Sequence, residues 1–220
     1  MYLINAIYFK AQWRQQFKPE NTRDGEFSVT NTLRKNVKMM NRTDASLGYF
    51  ADREVQVADL PYGDSLYSMT ILMPNSPATI DAFIASLTES RLQTWLQGLR
   101  PTTMMLSLPR WKFEYENQLN SELALMGMGI AFDERRADFR GINRNGGLFI
   151  SEVKQKAFVE VNEEGTEAAA VTVVGIGRTS APPVFLANRP FLYLIRERTT
   201  GAILFAGKMI DPTVESVKHQ

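Results

Sequence analysis

The run at 161–174, VNEEGTEAAAVTVV, constrains this chain more than any other stretch. It opens as a strand, passes two acids and a glycine that suit a bend, and continues as small, mostly uncharged residues. Side chains alternate between faces along a strand. Over 166–176 one face carries Thr166, Ala168, Ala170, Thr172, Val174 and Ile176, none of them charged. The other face carries Glu167, Ala169, Val171, Val173 and Gly175, with Glu167 the only charge. Such a segment fits inside a sheet with its clean face inward. Yet Gly175, Gly177, Pro182 and Pro183 suit an exposed loop. Two readings follow: an ordinary strand with a polar bend, or a loop that can become a strand. Conflict between local signals is common where a segment is functional.

Composition removes many alternatives. The chain has 220 residues, enough for one domain with its own core, and 44% hydrophobic with 22% charged residues is ordinary for a globular protein. A net charge of +1 gives no pointer to nucleic acid or an anionic membrane. With no cysteine there is no disulfide, thiol nucleophile or thiolate metal site. The single histidine, His219, is penultimate, which removes multi-histidine metal sites and most Ser-His-Asp hydrolase schemes. No GxGxxG or P-loop pattern occurs, and GINRNGG at 141–147 reads as a turn. The apolar start at 1–10 lacks a basic region and a small-residue cleavage site, so it reads as a buried strand and not as a signal peptide. The ten methionines read as core filler, and Asn41-Arg42-Thr43 is a formal glycosylation sequon.

Periodicity predicts an α+β fold with strands dominant and no repeat or linker. Strand signals lie at 1–9, 27–40, 56–60, 65–73, 104–108, 151–162, 184–186, 191–196 and 203–208. Ile80, Phe83, Ile84 and Leu87, then Leu92, Trp95, Leu96 and Leu99, recur at helical spacing and predict a helix pair. Asn117 or Asn120 is a candidate cap for a helix through Met126, ended by Gly127 and Gly129.

Read whole, Glu163-Glu164-Gly165-Thr166-Glu167-Ala168-Ala169-Ala170 resembles the hinge of inhibitory serpins almost residue for residue. Other segments agree in order: Asn5 with Phe9, Lys10 and Trp13, the VKMM at 37–40, AF at 131–132 with ADFRGI at 137–142, and the closing LFAGK at 204–208 before Asp211-Pro212. The resemblance covers essentially all 220 residues. It implies a mixed serpin-like fold, antiparallel sheets with a few helices and an exposed reactive loop at about 163–183. It also implies that 1–220 is the C-terminal part of one serpin domain, the N-terminal helices and first strands of the large sheet lying upstream.

The function implied by the resemblance is suicide inhibition of a serine protease, without enzymatic activity, cofactor, nucleic acid or membrane partner. The reactive bond would join Thr179 to Ser180, which suits elastase-like or subtilisin-like targets. A one-residue shift would place it after Arg178, which suits trypsin-like targets. Trp13, Arg110 and Glu163 match family positions where the loop first inserts, and an ion pair between Arg110 and Glu163 is expected. Gln155 stands near Asn5 where many members carry a histidine, so sheet opening here would lack a histidine's titration. An extracellular setting is compatible with the family. The competing readings are a non-inhibitory serpin acting as carrier, chaperone or storage protein, and an inactive fragment with an exposed sheet edge.

Overall fold

The computed structural model describes residues 1–75, 79–165 and 182–218. In chain order the strands and α-helices are β1 (Tyr2–Tyr8), β2 (Arg23–Ser28), β3 (Arg34–Ala51), β4 (Val55–Pro61), β5 (Tyr67–Pro74), α1 (Ile80–Ala85), α2 (Glu89–Gly98), β6 (Arg100–Pro109) and β7 (Trp111–Gln118). They continue with α3 (Asn120–Leu123), β8 (Glu152–Val161), β9 (Val184–Leu186), β10 (Phe191–Glu197), β11 (Ile203–Met209) and β12 (Ser216–Lys218). The chain divides into two compact units, one of Met1–Phe9, Lys112–Val159 and Val214–Gln220, the other of Lys10–Trp111 and Glu160–Thr213.

The first unit is built on a four-stranded sheet in the order β1-β8-β7-β12. β1 and β8 are parallel and paired in continuous register from Tyr2 opposite Glu152 to Tyr8 opposite Phe158. β1 was expected to be buried from its composition, but Tyr2, Ile4 and Tyr8 are exposed. Among the described residues β1 is an edge strand, so apolar composition alone does not cover it. Asn120 is also not a cap. The helix starts after Leu119, and the Asn120 side chain instead clips β8, accepting from the Val153 N–H and donating to the Ser151 carbonyl. Gly127, at φ +102°, interrupts the helical path as expected of a stop. Met126 and Met128 next to it are exposed, against the expectation of core filler, whereas Met40, Met69 and Met104 are fully buried.

The second unit holds an eight-stranded sheet in the order β11-β10-β5-β4-β3-β6-β9, with β2 paired to β3. β4, β5 and β10 are antiparallel neighbours. One face packs Val55, Val57, Leu72, Leu192 and Leu194 against Ile80, Phe83 and Trp95 of the helix pair. Both helices start on a threonine cap, Thr79 accepting from the Ala82 N–H and Thr88 from the Arg91 N–H. Phe83 stacks on Trp95 at 5.8 Å, and Arg91 lies over the same indole at 5.1 Å. The sheet also buries ions: Asp59 accepts from Ser68, Thr70 and Arg196 at 2.8, 2.6 and 2.9 Å. The sequon Asn41 is held in β3, its amide donating to the carbonyls of Asn21 and Met39.

Candidate functional site at the root of the reactive segment

β8 runs on into Asn162, Glu163, Glu164 and Gly165, the last described residues before the hinge alanines. These four are fastened to the segment at 12–17. The Trp13 N–H donates to the Glu164 carbonyl at 3.0 Å, and the Phe17 N–H donates to the Glu163 carbonyl at 2.8 Å. The Trp13 indole N–H donates to the Asn162 carbonyl at 2.9 Å. Gly165 bridges Gln12 in antiparallel fashion with φ +106°. A Cβ there would lie 2.3 Å from the Trp13 nitrogen and 2.6 Å from the Ala11 carbonyl oxygen. Glycine is therefore required by both backbone conformation and space.

The Glu163 side chain is 8% exposed. Its Oε1 accepts from the Thr22 hydroxyl at 2.6 Å, and its Oε2 lies 3.5 Å from Arg110 Nε. The expected ion pair is thus present, but the half-exposed Arg110 is the longer contact. Thr22, which carries the shorter one, stands in no motif. A carboxylate taken this far from water needs such donors.

Trp13 is buried and rests on aromatic neighbours. Tyr62 stacks on it at 4.5 Å with planes 9° apart, and Phe17 meets it edge-on at 6.4 Å. Burial, with a smaller contribution from Tyr193, pushes the Tyr62 hydroxyl far above its ordinary pKa, so it stays neutral. Tyr62 and Phe17 were not singled out as site residues from the sequence, although the turn signal at 61–64 marks the element that carries Tyr62.

The structure brings Trp13, Arg110, Glu163, Glu164 and Gly165 into one node. It sets Asn5 opposite Gln155 in the β1–β8 register of the four-stranded sheet. Thr166, Glu167, Ala168, Ala169 and Ala170, expected as the hinge, and Arg178, Thr179 and Ser180, expected around the reactive bond, lie outside the described residues. Chemically the node is a latch: backbone bonds, an aromatic stack and one buried carboxylate. Among the described residues no group of three His, Cys, Asp or Glu side chains could hold a metal ion.

A family model, serpin (serine protease inhibitor), matches residues 1–212. The chain belongs to the serpin family. It is 39% identical over 216 residues to human serpin B4 and 38% identical over 216 residues to the leukocyte elastase inhibitor of Xenopus laevis. Each match covers 96% of this chain, and 55% and 57% of the respective relative. The solved structure of human thyroxine-binding globulin superposes with a TM-score of 0.87 at 31% identity, over 97% of this chain and 56% of that one. Native protease nexin-1, crystallised with heparin, gives 0.83 at 31%, over 96% and 57%. This serpin chain therefore spans a little over half the length of the relatives it matches, and its mixed sheets with few helices are the serpin fold.

Proposed function

We propose that this chain carries the trapping apparatus of a serine protease inhibitor that works as a suicide substrate. The observation that carries the reading is the parallel, direct pairing of β1 with β8 over seven residue pairs. A segment that turned back at Gly165 and ran beside β8 would be antiparallel to β8 and so to β1. It would gain a hydrogen-bonded ladder on each side where one existed before. The small, uncharged residues at 168–174 suit that slot.

The protease's serine would attack the carbonyl carbon of Thr179, releasing the amine of Ser180 and leaving an acyl-enzyme. Insertion of the loop would then carry the bound protease away from its docking position and distort its active site before water can deacylate it. The serpin supplies the loop and the protease supplies the catalytic groups, so the chain itself is no enzyme. Cleavage after Thr179 suits elastase-like or subtilisin-like proteases, and the likeness to leukocyte elastase inhibitors supports that choice. Cleavage after Arg178 would suit trypsin-like ones. The root node tunes the insertion: Trp13, Arg110 and Glu163 fasten the strand end from which the loop departs, while Asn5 and Gln155 face each other across the pair that must part.

The test is incubation of the full chain with an elastase-like and a trypsin-like protease, followed by a denaturing gel and the mass of the released peptide. A denaturation-resistant complex with a peptide beginning at Ser180 is the expected result. A peptide beginning at Thr179 would move the specificity residue to Arg178. Cleavage with no complex would overturn inhibition of these proteases and favour a non-inhibitory serpin.

A further inference from the structure

Trp13 holds the root of the reactive segment, and Tyr62 holds Trp13. Tyr62 reaches that place on the connection between β4 and β5, residues 62–66. This connection contains Ser65 at φ +71°, the only non-glycine residue with a positive φ among the described residues. An L-residue with a Cβ is disfavoured there, and such a conformation persists only where its surroundings over-determine it.

The surroundings do so with two arginines from distant parts of the chain. Arg14 Nη1 donates to the Ser65 hydroxyl at 2.7 Å, and Arg198 Nη1 donates to the Ser65 carbonyl at 3.2 Å. The Ser65 N–H closes the turn onto the Tyr62 carbonyl at 2.6 Å. Each arginine is also anchored through its own backbone at one end of the connection, Arg14 N–H to the carbonyl of Pro61, the last residue of β4, at 3.0 Å and Arg198 N–H to the Leu66 carbonyl at 2.8 Å. Arg198 Nε further lies 3.6 Å from Asp59, the carboxylate buried in the sheet. On the other side, the Gly63 N–H donates to the Gln12 carbonyl, one residue before Trp13. The connection is therefore tied to the sheet below it and to the Trp13 segment above it.

We infer that Arg14 and Arg198 are positioning residues: by clamping the strained Ser65 they fix Tyr62, and through Tyr62 they set the indole that fastens the loop's root. The consequence for trapping rests on the proposed inhibitory function, whereas the geometric assignment does not.

The test uses the full chain labelled with 5-fluorotryptophan, the Trp13 resonance being assigned by Trp13→Phe. The resonances of Trp95 and Trp111 report whether each variant is folded. Replacing both arginines, Arg14→Ala with Arg198→Ala, is expected to shift or broaden the Trp13 signal while the other two hold. Ser65→Val, whose branched side chain resists a positive φ, is expected to do the same. Ser65→Asn, which tolerates that φ and keeps an acceptor, is expected to leave the signal in place. In the trapping assay the first two variants should raise the serpin consumed per protease trapped at least twofold, and Ser65→Asn should not. An unmoved Trp13 signal in the arginine double variant, or equal shifts for Ser65→Val and Ser65→Asn, would overturn the assignment. Failure of the unsubstituted chain to trap would sink the inhibitory reading alone, because the resonance comparison decides the positioning without it.

Discussion

Gly165→Ala is the sharpest local perturbation of the latch. The new Cβ would stand 2.3 Å from the Trp13 nitrogen, 2.6 Å from the Ala11 oxygen and 2.7 Å from the Gln12 carbonyl carbon, all backbone atoms that no rotamer change can move aside. The residue would also have to hold φ +106°. Strain of that kind costs about 1–3 kcal/mol. If the backbone parts to relieve it, the bonds from Trp13 to Glu164 and from Phe17 to Glu163 are lost, at about 0.5–1.5 kcal/mol each. By either route the expected loss is about 1–3 kcal/mol, a sizeable share of the roughly 5–15 kcal/mol typical of a native protein. Urea unfolding followed by near-ultraviolet circular dichroism, with both chains at the same concentration, measures it. A loss under about 0.5 kcal/mol, the size of an ordinary surface substitution, would refute the claim that Gly165 is required by its contacts.

Three further outcomes follow from the same geometry. Thr22→Val should destabilise by about 1.5–3 kcal/mol, since it removes a short bond to a buried carboxylate, while Arg110→Ala should cost about 0–1 kcal/mol for a longer, half-exposed pair; paired denaturation curves check the order. Asp59→Ala should cost about 3–5 kcal/mol by stranding Arg196 in the sheet, and adding Arg196→Met should recover much of it, which a double-mutant cycle reads directly. Hydrogen bonds from Thr200 and Thr199 hold the Glu197 carboxyl at about 2, below its ordinary 4.5. Its contribution is thus present above pH 4.5 and lost as pH falls toward 2, so Glu197→Gln should lower stability at neutral pH, flatten the acid limb and meet the unsubstituted chain near pH 2, which urea unfolding across that pH range checks.

Much of the fold was legible because its signals are local. The helix pair shows in the spacing of Ile80, Phe83 and Trp95, and the threonine caps stand where helix starts need them. The hairpin of β10 and β11 shows in two apolar runs around Thr199, Thr200 and Gly201. Of the site, Trp13, Arg110 and Glu163 were reached through motif resemblance, and the structure gathers them. Thr22 was not, because a hydroxyl in an irregular segment carries no pattern and gains its role only when Glu163 arrives 141 residues later. β7 was missed although Trp111, Phe113 and Tyr115 alternate with Lys112, Glu114 and Glu116, which is the period-two pattern of a half-buried strand. The burial of β1 was misread because composition reports hydrophobicity, whereas coverage depends on which strands lie beside it. Asn120 was read as a cap because the sequence cannot show β8 offering it better partners.

The proposed trapping requires β1 and β8 to part. The chain has no cysteine, so Ile7→Cys with Ala157→Cys places the only two thiols on partner positions of that register. Adjacent strands lie about 4.8 Å apart, within the span of a disulfide. The measurement is the yield of denaturation-resistant protease complex from the oxidised and the reduced form of this one variant. The oxidised form is expected to be cleaved without trapping, and reduction is expected to restore the complex. Equal trapping by both forms would contradict it.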